Sequence, residues 1–166
     1  MRIYLPDPAL RGYVTFYYFV EARGPILDFL YPEWGNVRLS LSGDWTVLND
    51  ARDAGIPHDR VLFGPTDRRG QIVTAGGATA GFGLTPLGWD RLIGADASAM
   101  ANRVRAIGAE LGVDAKALQA AFIADQGDDG AGVARFDELL LALLAARPPS
   151  HPVILATDRV LRRRPA

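Results

Sequence analysis

Hydrophobic periodicity changes once along this chain, near residue 86, and that change limits the fold more than any single motif. Before it, the apolar segments are short, aromatic or β-branched, and broken by Gly, Pro, Asn and Asp, which is the pattern of strands and turns. Residues 13–20 (YVTFYYFV) are a continuous apolar run whose length and aromatic content predict a buried strand. Residues 26–31 give a second strand, entered by Gly24-Pro25 and closed by Pro32. Residues 36–42 alternate, with Val37, Leu39 and Leu41 on one face and Arg38, Ser40 and Ser42 on the other. Gly43-Asp44 then leads into residues 45–48, which predicts a hairpin. Residues 60–63, 71–74 and 79–84 complete a set of about seven strands. Residues 1–85 are therefore expected to form an antiparallel β-sandwich or barrel.

After Pro86 the period becomes helical. Met100, Val104, Ile107 and Leu111 share one helical face, with Ser98 as a predicted N-cap. Val113, Ala117, Leu118, Ala121 and Phe122 form a second stripe, ended by the Gly/Asp cluster at 127–130. Val133, Phe136, Leu140, Leu143 and Leu144 form a third, stopped by Pro148-Pro149, and Ser150 is placed to cap a last helix. The order of strands followed by three to four helices predicts an α+β protein with segregated layers. Residues 86–149 then form a helical half, packed on the barrel or at a dimer interface, and residues 150–166 a linker helix. Of the third stripe, Phe136, Leu140, Leu143 and Leu144 are the candidate dimerisation residues.

The chemistry available to 166 residues without cysteine is narrow: no disulfide, thiol nucleophile or Cys-based zinc site is possible. The two histidines, His58 and His151, lie in different halves, and the clustered ligands of a metal-binding barrel are missing, so no metal and no cofactor is expected. No Gly-x-Ser-x-Gly elbow or phosphate-binding glycine motif occurs. In the run 76–83, Gly81 and Gly83 read as strand positions facing something close. Asp128-Asp129 and Asp137-Glu138 read as solvation and helix N-terminal charge, not as an acid–base pair. The chain is expected to be no enzyme. A net charge of −1 gives no global attraction to nucleic acid. Arg159, Arg162, Arg163 and Arg164 suit a solvated tail, or phosphate contact if a DNA-binding domain follows. With no signal peptide and no apolar run of bilayer length, a cytoplasmic protein is expected.

What remains is an aromatic β-half able to enclose a small ligand. Tyr17, Tyr31, Trp34, Arg38 and Phe63 are the candidate ligand-binding residues. If the face opposite Val37, Leu39 and Leu41 lines a cavity, Arg38 is a natural partner for a ligand carboxylate; if it faces water, Arg38 is an ordinary surface charge.

Five stretches in order resemble the N-terminal domain of AraC-type bacterial transcription regulators. They are residues 8–19 (PALRGYVTFYYF), 30–35 (LYPEWG) with the alternating strand after it, 63–65 (FGP), 81–89 (GFGLTPLGW) running into Leu92-Ile93-Gly94, and 134–141 (ARFDELLL). The resemblance implies a cupin-like sandwich or barrel with a helical segment, which senses an unknown small-molecule effector, forms a homodimer, or both. It implies that DNA is bound only through a second half carrying helix-turn-helix motifs, expected to lie beyond Ala166. It carries over no catalytic residue. A standalone cupin-like binding protein or enzyme, and a pure interaction module built on the third helical stripe, are the alternatives.

Overall fold

The computed structural model describes residues 1–48, 59–125 and 127–162. Among them nine strands form two antiparallel sheets: β1 (Arg2–Tyr4), β2 (Val14–Ala22), β3 (Ile26–Leu30), β4 (Asn36–Ser42), β5 (Trp45–Leu48), β6 (Arg60–Phe63), β7 (Gly70–Thr74), β8 (Gly77–Leu84) and β9 (Val104–Ala106). The larger sheet runs β1-β2-β8-β4-β6-β9, and the smaller runs β3-β7-β5. A single helical turn, α1 (Pro86–Gly88), continues as a π-turn (Trp89–Ile93). Three longer helices follow: α2 (Ala115–Ala124), α3 (Asp129–Ala146) and α4 (Pro152–Arg162).

The molecule is a three-layer stack, and the large sheet is its middle layer. One apolar cluster joins Tyr17, Phe19, Val37, Leu39, Phe82 and Leu84 of the large sheet to Leu92, Phe122, Phe136 and Leu140 of the helical segments. A second joins Val61, Phe63 and Val104 of the large sheet to Trp45, Val47 and Ile72 of the small one. The period of two in β4 and β8 sends alternate side chains into these two layers.

Aspartate side chains cap α2 and α3. Asp114 accepts the Lys116 N–H (2.8 Å) at the start of α2, and Asp128 accepts the Ala131 N–H (3.0 Å) at the start of α3. Arg91 donates to the last carbonyls of α3 and beyond, on Leu144 (2.9 Å) and Arg147 (2.7 Å). Gln119 pins α2 to the sheet, donating to the Ser40 carbonyl (2.6 Å) and accepting from Arg60 (2.6 Å). Arg2 pairs with Asp129 (2.5 Å), and Tyr4 donates to the same carboxylate (2.7 Å), tying the N-terminal strand to α3.

Four expectations are corrected. Residues 43–44 do not close a hairpin, because β4 and β5 belong to different sheets. Gly43, at φ 71°, turns the chain across the stack, and a Cβ there would strike the Gly76 carbonyl. The stripe Met100–Val104–Ile107–Leu111 is no helix: Val104 lies in β9, Leu111 in a 3₁₀ turn (Ala109–Leu111), and Ser98 caps nothing but sits in a turn held by Asp96. His151, not Ser150, receives the Val153 N–H (3.3 Å) at the start of α4. Asp137 is not a solvated charge, since its Oδ1 accepts from the Tyr17 hydroxyl (2.6 Å) and the Asp7 N–H (2.9 Å). The sheet holds two strands more than expected from the sequence, β1 and β9, each only three residues long. His58 lies outside the described residues, as do Arg163 and Arg164.

Candidate ligand site between the two sheets

The two faces of the large sheet differ in chemistry. Of the buried polar or charged residues described, Asn36, Arg38, Ser40, Thr74 and Thr79 all point into the layer between the sheets, and only Ser150 lies elsewhere. The helix-facing side is apolar. A buried polar residue is costly unless bonded, so the distribution marks the inter-sheet layer as the place where polar groups have a use.

Arg38 is the centre of this layer. Strand β4 is paired on both sides, with Arg38 opposite Val61 on β6 and opposite Gly81 on β8, so its side chain has nowhere to go but between the sheets. Its relative exposure is 7%. The guanidinium lies over the Phe63 ring at 4.8 Å and beside the Tyr18 ring at 6.0 Å. Its Nε donates to the Tyr18 hydroxyl (3.4 Å). Its Nη1 is buried with no hydrogen-bond partner, and no carboxylate pairs with Arg38 among the described residues.

A chain of hydrogen bonds runs outward from this cation. Tyr18 Oη donates to Asn36 Oδ1 or to the Val37 carbonyl, both at 3.3 Å, and Asn36 Nδ2 donates to Glu33 Oε1 (2.6 Å). Burial pushes the Tyr18 hydroxyl above its ordinary pKa, with Arg38 opposing, so it serves as a neutral donor and acceptor. Glu33 is open to solvent on one side, yet desolvation of its packed side raises its carboxyl above the usual range, against the pull of Arg38 and Asn36. Gly81 makes the arrangement possible. The Tyr18 ring lies across it, and a Cβ at 81 would overlap both the Tyr18 hydroxyl and the Val37 carbonyl.

Of the candidate binding residues, Arg38 and Phe63 are thus brought together. Tyr17 is not with them. It faces the helices, packed on Phe136 at 5.1 Å. Its neighbour Tyr18 holds the inter-sheet position, and the continuous apolar run of β2, bulged between Val14 and Tyr17, hides that parity in the sequence. Trp34 and Tyr31 are exposed, at 52% and 76%. Trp34 lines a separate cleft of about 360 Å³ with Glu33, while Tyr31 joins neither place. Phe136 and Leu140, fully buried, and Leu143, at 8% exposure, are spent on the chain's own core, with Leu144 packed partly against it. In α3 this stripe faces the sheet.

Another cleft, of about 250 Å³, opens beside β2, β8 and the α2–α3 connection. Its Asp129 and Asp125 are already engaged by Arg2, Tyr4 and Arg135. Among the described residues no group of three His, Asp or Glu side chains is placed to hold a metal ion, and no helix is long and apolar enough to cross a membrane.

The Arg38 guanidinium is thus buried over the Phe63 ring and bonded through Nε to Tyr18, while its Nη1 keeps donors without a described partner. The chain matches no family model, and no curated protein or solved structure matches it either.

Proposed function

We propose that this chain is a small-molecule sensor domain of the kind that precedes the DNA-binding half of AraC-type transcription regulators, and that its effector is a carboxylate held by Arg38. The observation that carries the ligand reading is the Arg38 Nη1, buried and without a partner between the sheets. A lone buried cation costs folding energy, and a chain keeps it when a ligand supplies the counter-charge. The regulator reading is supported by the order of strands before helices and by the five sequence stretches quoted above, α3 being the fifth.

Thermal unfolding with a panel of straight-chain and arylalkyl carboxylates, each beside its uncharged amide, tests the ligand reading. A carboxylate that binds adds about 2.7 kcal/mol at a hundredfold excess over its Kd, so a member of the panel raises Tm and its amide does not. Equal shifts with acid and amide, or no shift with any acid, overturn the reading. Reading the gene beyond the codon for Ala166 tests the regulator half: two helix-turn-helix patterns are expected, and their absence leaves a standalone binding protein.

A further inference from the structure

We propose that the π-turn Trp89–Ile93 is a coupling element, which passes a change at the Arg38 site to α4 by holding or releasing that helix. This rests on the reading of Arg38 as a ligand site and adds the route by which its state leaves the sheet.

Helix α4 is the least anchored of the three longer helices. Helix α2 buries Ala115 and Phe122, and α3 buries Gly132, Phe136, Leu140 and Leu143. Among the described residues, no side chain of α4 is buried. Ile154 and Leu155 are half-buried, while Val153 and Val160 are 64% and 66% exposed. The helix packs chiefly on α1. Eleven residues are too few to hold a helix alone in water, so α4 depends on its supports. Its join to α3 is also imperfect. Ser150 is buried there and its hydroxyl has no described partner, which penalises the docked position.

The join is gripped by Arg91, in the middle of the π-turn. Its guanidinium donates to the carbonyls of Leu144 (2.9 Å) and Arg147 (2.7 Å), and to that of Pro148. These are carbonyls that the end of α3 leaves free, and a forked donor suits them. Arg147 adds a bond to the Glu110 carbonyl. A π-turn is a rare element, and such turns recur at functional sites.

The other end of the π-turn reaches the candidate site. The Trp89 ring lies against Gly35, where a Cβ would stand 2.4 Å from its Cε3 and Cζ3 atoms. Gly35 precedes Asn36, which is bonded to Glu33 and Tyr18, and Tyr18 is bonded to Arg38. The Gly35 carbonyl also accepts the Leu84 N–H (2.8 Å) at the end of β8. The next residue, Thr85, caps α1 by accepting the Gly88 N–H (2.9 Å). Gly35 therefore adjoins both supports of α4: the π-turn that grips its join, and the strand end that carries α1. Close packing passes a displacement at Gly35 to both. A ligand on Arg38 redraws the Arg38–Tyr18–Asn36 bonds one residue away from it.

The test uses the whole chain, which has no cysteine, so a single introduced thiol reports on its own position. Ile154→Cys reports α4 lifting from its support, read as the rate of iodoacetamide labelling. Ala80→Cys, at a place with 0% exposure, reports opening of the whole fold. Arg91→Met removes the grip. Trp89→Phe removes the indole bond to the Ala95 carbonyl (2.6 Å) and the part of the ring that meets Gly35. Each is expected to raise labelling at 154 by roughly tenfold or more and to leave labelling at 80 unchanged, as a local opening requires. Arg38→Met, at the far end, is expected to change labelling at 154 by about threefold or more, and to have no further effect once Arg91 is replaced. If Arg91→Met leaves 154 protected, or raises 80 in step with it, α4 is not held by this grip and the inference falls. If Arg91→Met frees α4 but neither Trp89→Phe nor Arg38→Met alters it, the grip is not coupled to the site and the inference falls equally. The carboxylate panel is scored separately. Either failure leaves Arg38 standing as a ligand site, and a panel without a binder removes the ligand reading while the grip on α4 remains.

Discussion

Phe136→Ala is expected to cost about 3–5 kcal/mol of folding stability, the largest loss of any single truncation considered. The Phe136 side chain is fully buried, and its ring meets Phe122 at 4.4 Å, Tyr17 at 5.1 Å, Phe82 at 5.3 Å and Phe19 at 6.4 Å. Its ring meets rings from α2, β2 and β8 at once. Removing it leaves a cavity that the four rings cannot collapse into, because Tyr17, Phe19 and Phe82 are fixed on paired strands and Tyr17 is also held by Asp137. With a total stability of about 5–15 kcal/mol for a domain, the loss brings unfolding within reach at moderate urea. Equilibrium urea unfolding measures it, and sedimentation of the same variant separates the two roles of α3. A variant that keeps its stability but changes its mass would restore Phe136 as a dimer contact. A variant that loses stability at unchanged mass confirms it as core.

Gly81→Ala is the second large effect, at about 1–3 kcal/mol, and it strikes the site as well as the fold. The added Cβ meets the Val37 carbonyl, a backbone atom in the middle of the sheet, so the clash cannot be relieved by a rotamer change. It also meets the Tyr18 hydroxyl, the group that receives the Arg38 Nε. Tyr18 must swing away, and Arg38 loses the contact that orients it. Gly83→Ala is the internal control. It lies on the same strand, but its Cβ would meet the Oγ1 of Thr15, the end of an exposed side chain that can turn aside. Urea unfolding of the pair should show Gly81→Ala markedly destabilised and Gly83→Ala nearly unchanged. Equal losses would mean that the strand tolerates no side chain at either place, and that Tyr18 is not what Gly81 accommodates.

How far the sequence disclosed this arrangement depends on which signal each element carries. Strand β4 was legible to the residue, because Val37, Leu39 and Leu41 alternate with polar partners and only one register buries them. The same alternation put Arg38 on the face opposite the apolar one. What it could not show is that this face is covered too, since burial by a second sheet is a property of β3, β5 and β7, not of β4. Strand β2 offers no alternation, so its pattern does not reveal that Tyr18, and not Tyr17, lies between the sheets beside Arg38. The turn at Gly43 looked like a hairpin because short loops usually join sheet neighbours, and here the chain crosses layers instead. Strand β9 hides behind a helical spacing, since Val104 and Ile107 happen to fall three apart and three residues of strand are too few to reveal a period. The Glu33–Asn36–Tyr18–Arg38 chain joins residues on different elements, and nothing in their spacing announces it.

The account rests on Arg38 being kept for a ligand rather than for the fold, and the stability of Arg38→Met without any ligand tests that most directly. Methionine keeps the unbranched apolar stem of arginine, lacks the guanidinium tip and carries no charge. The substitution removes a buried cation whose Nη1 has no partner, at the loss of a long hydrogen bond, two ring contacts and the attraction of Glu33. Equilibrium urea unfolding should then show a gain of about 1 kcal/mol or more, the exchange of stability for function expected of a binding site. A loss of stability of the same size would contradict the account, because Arg38 would then be a structural residue whose charge the folded chain already satisfies.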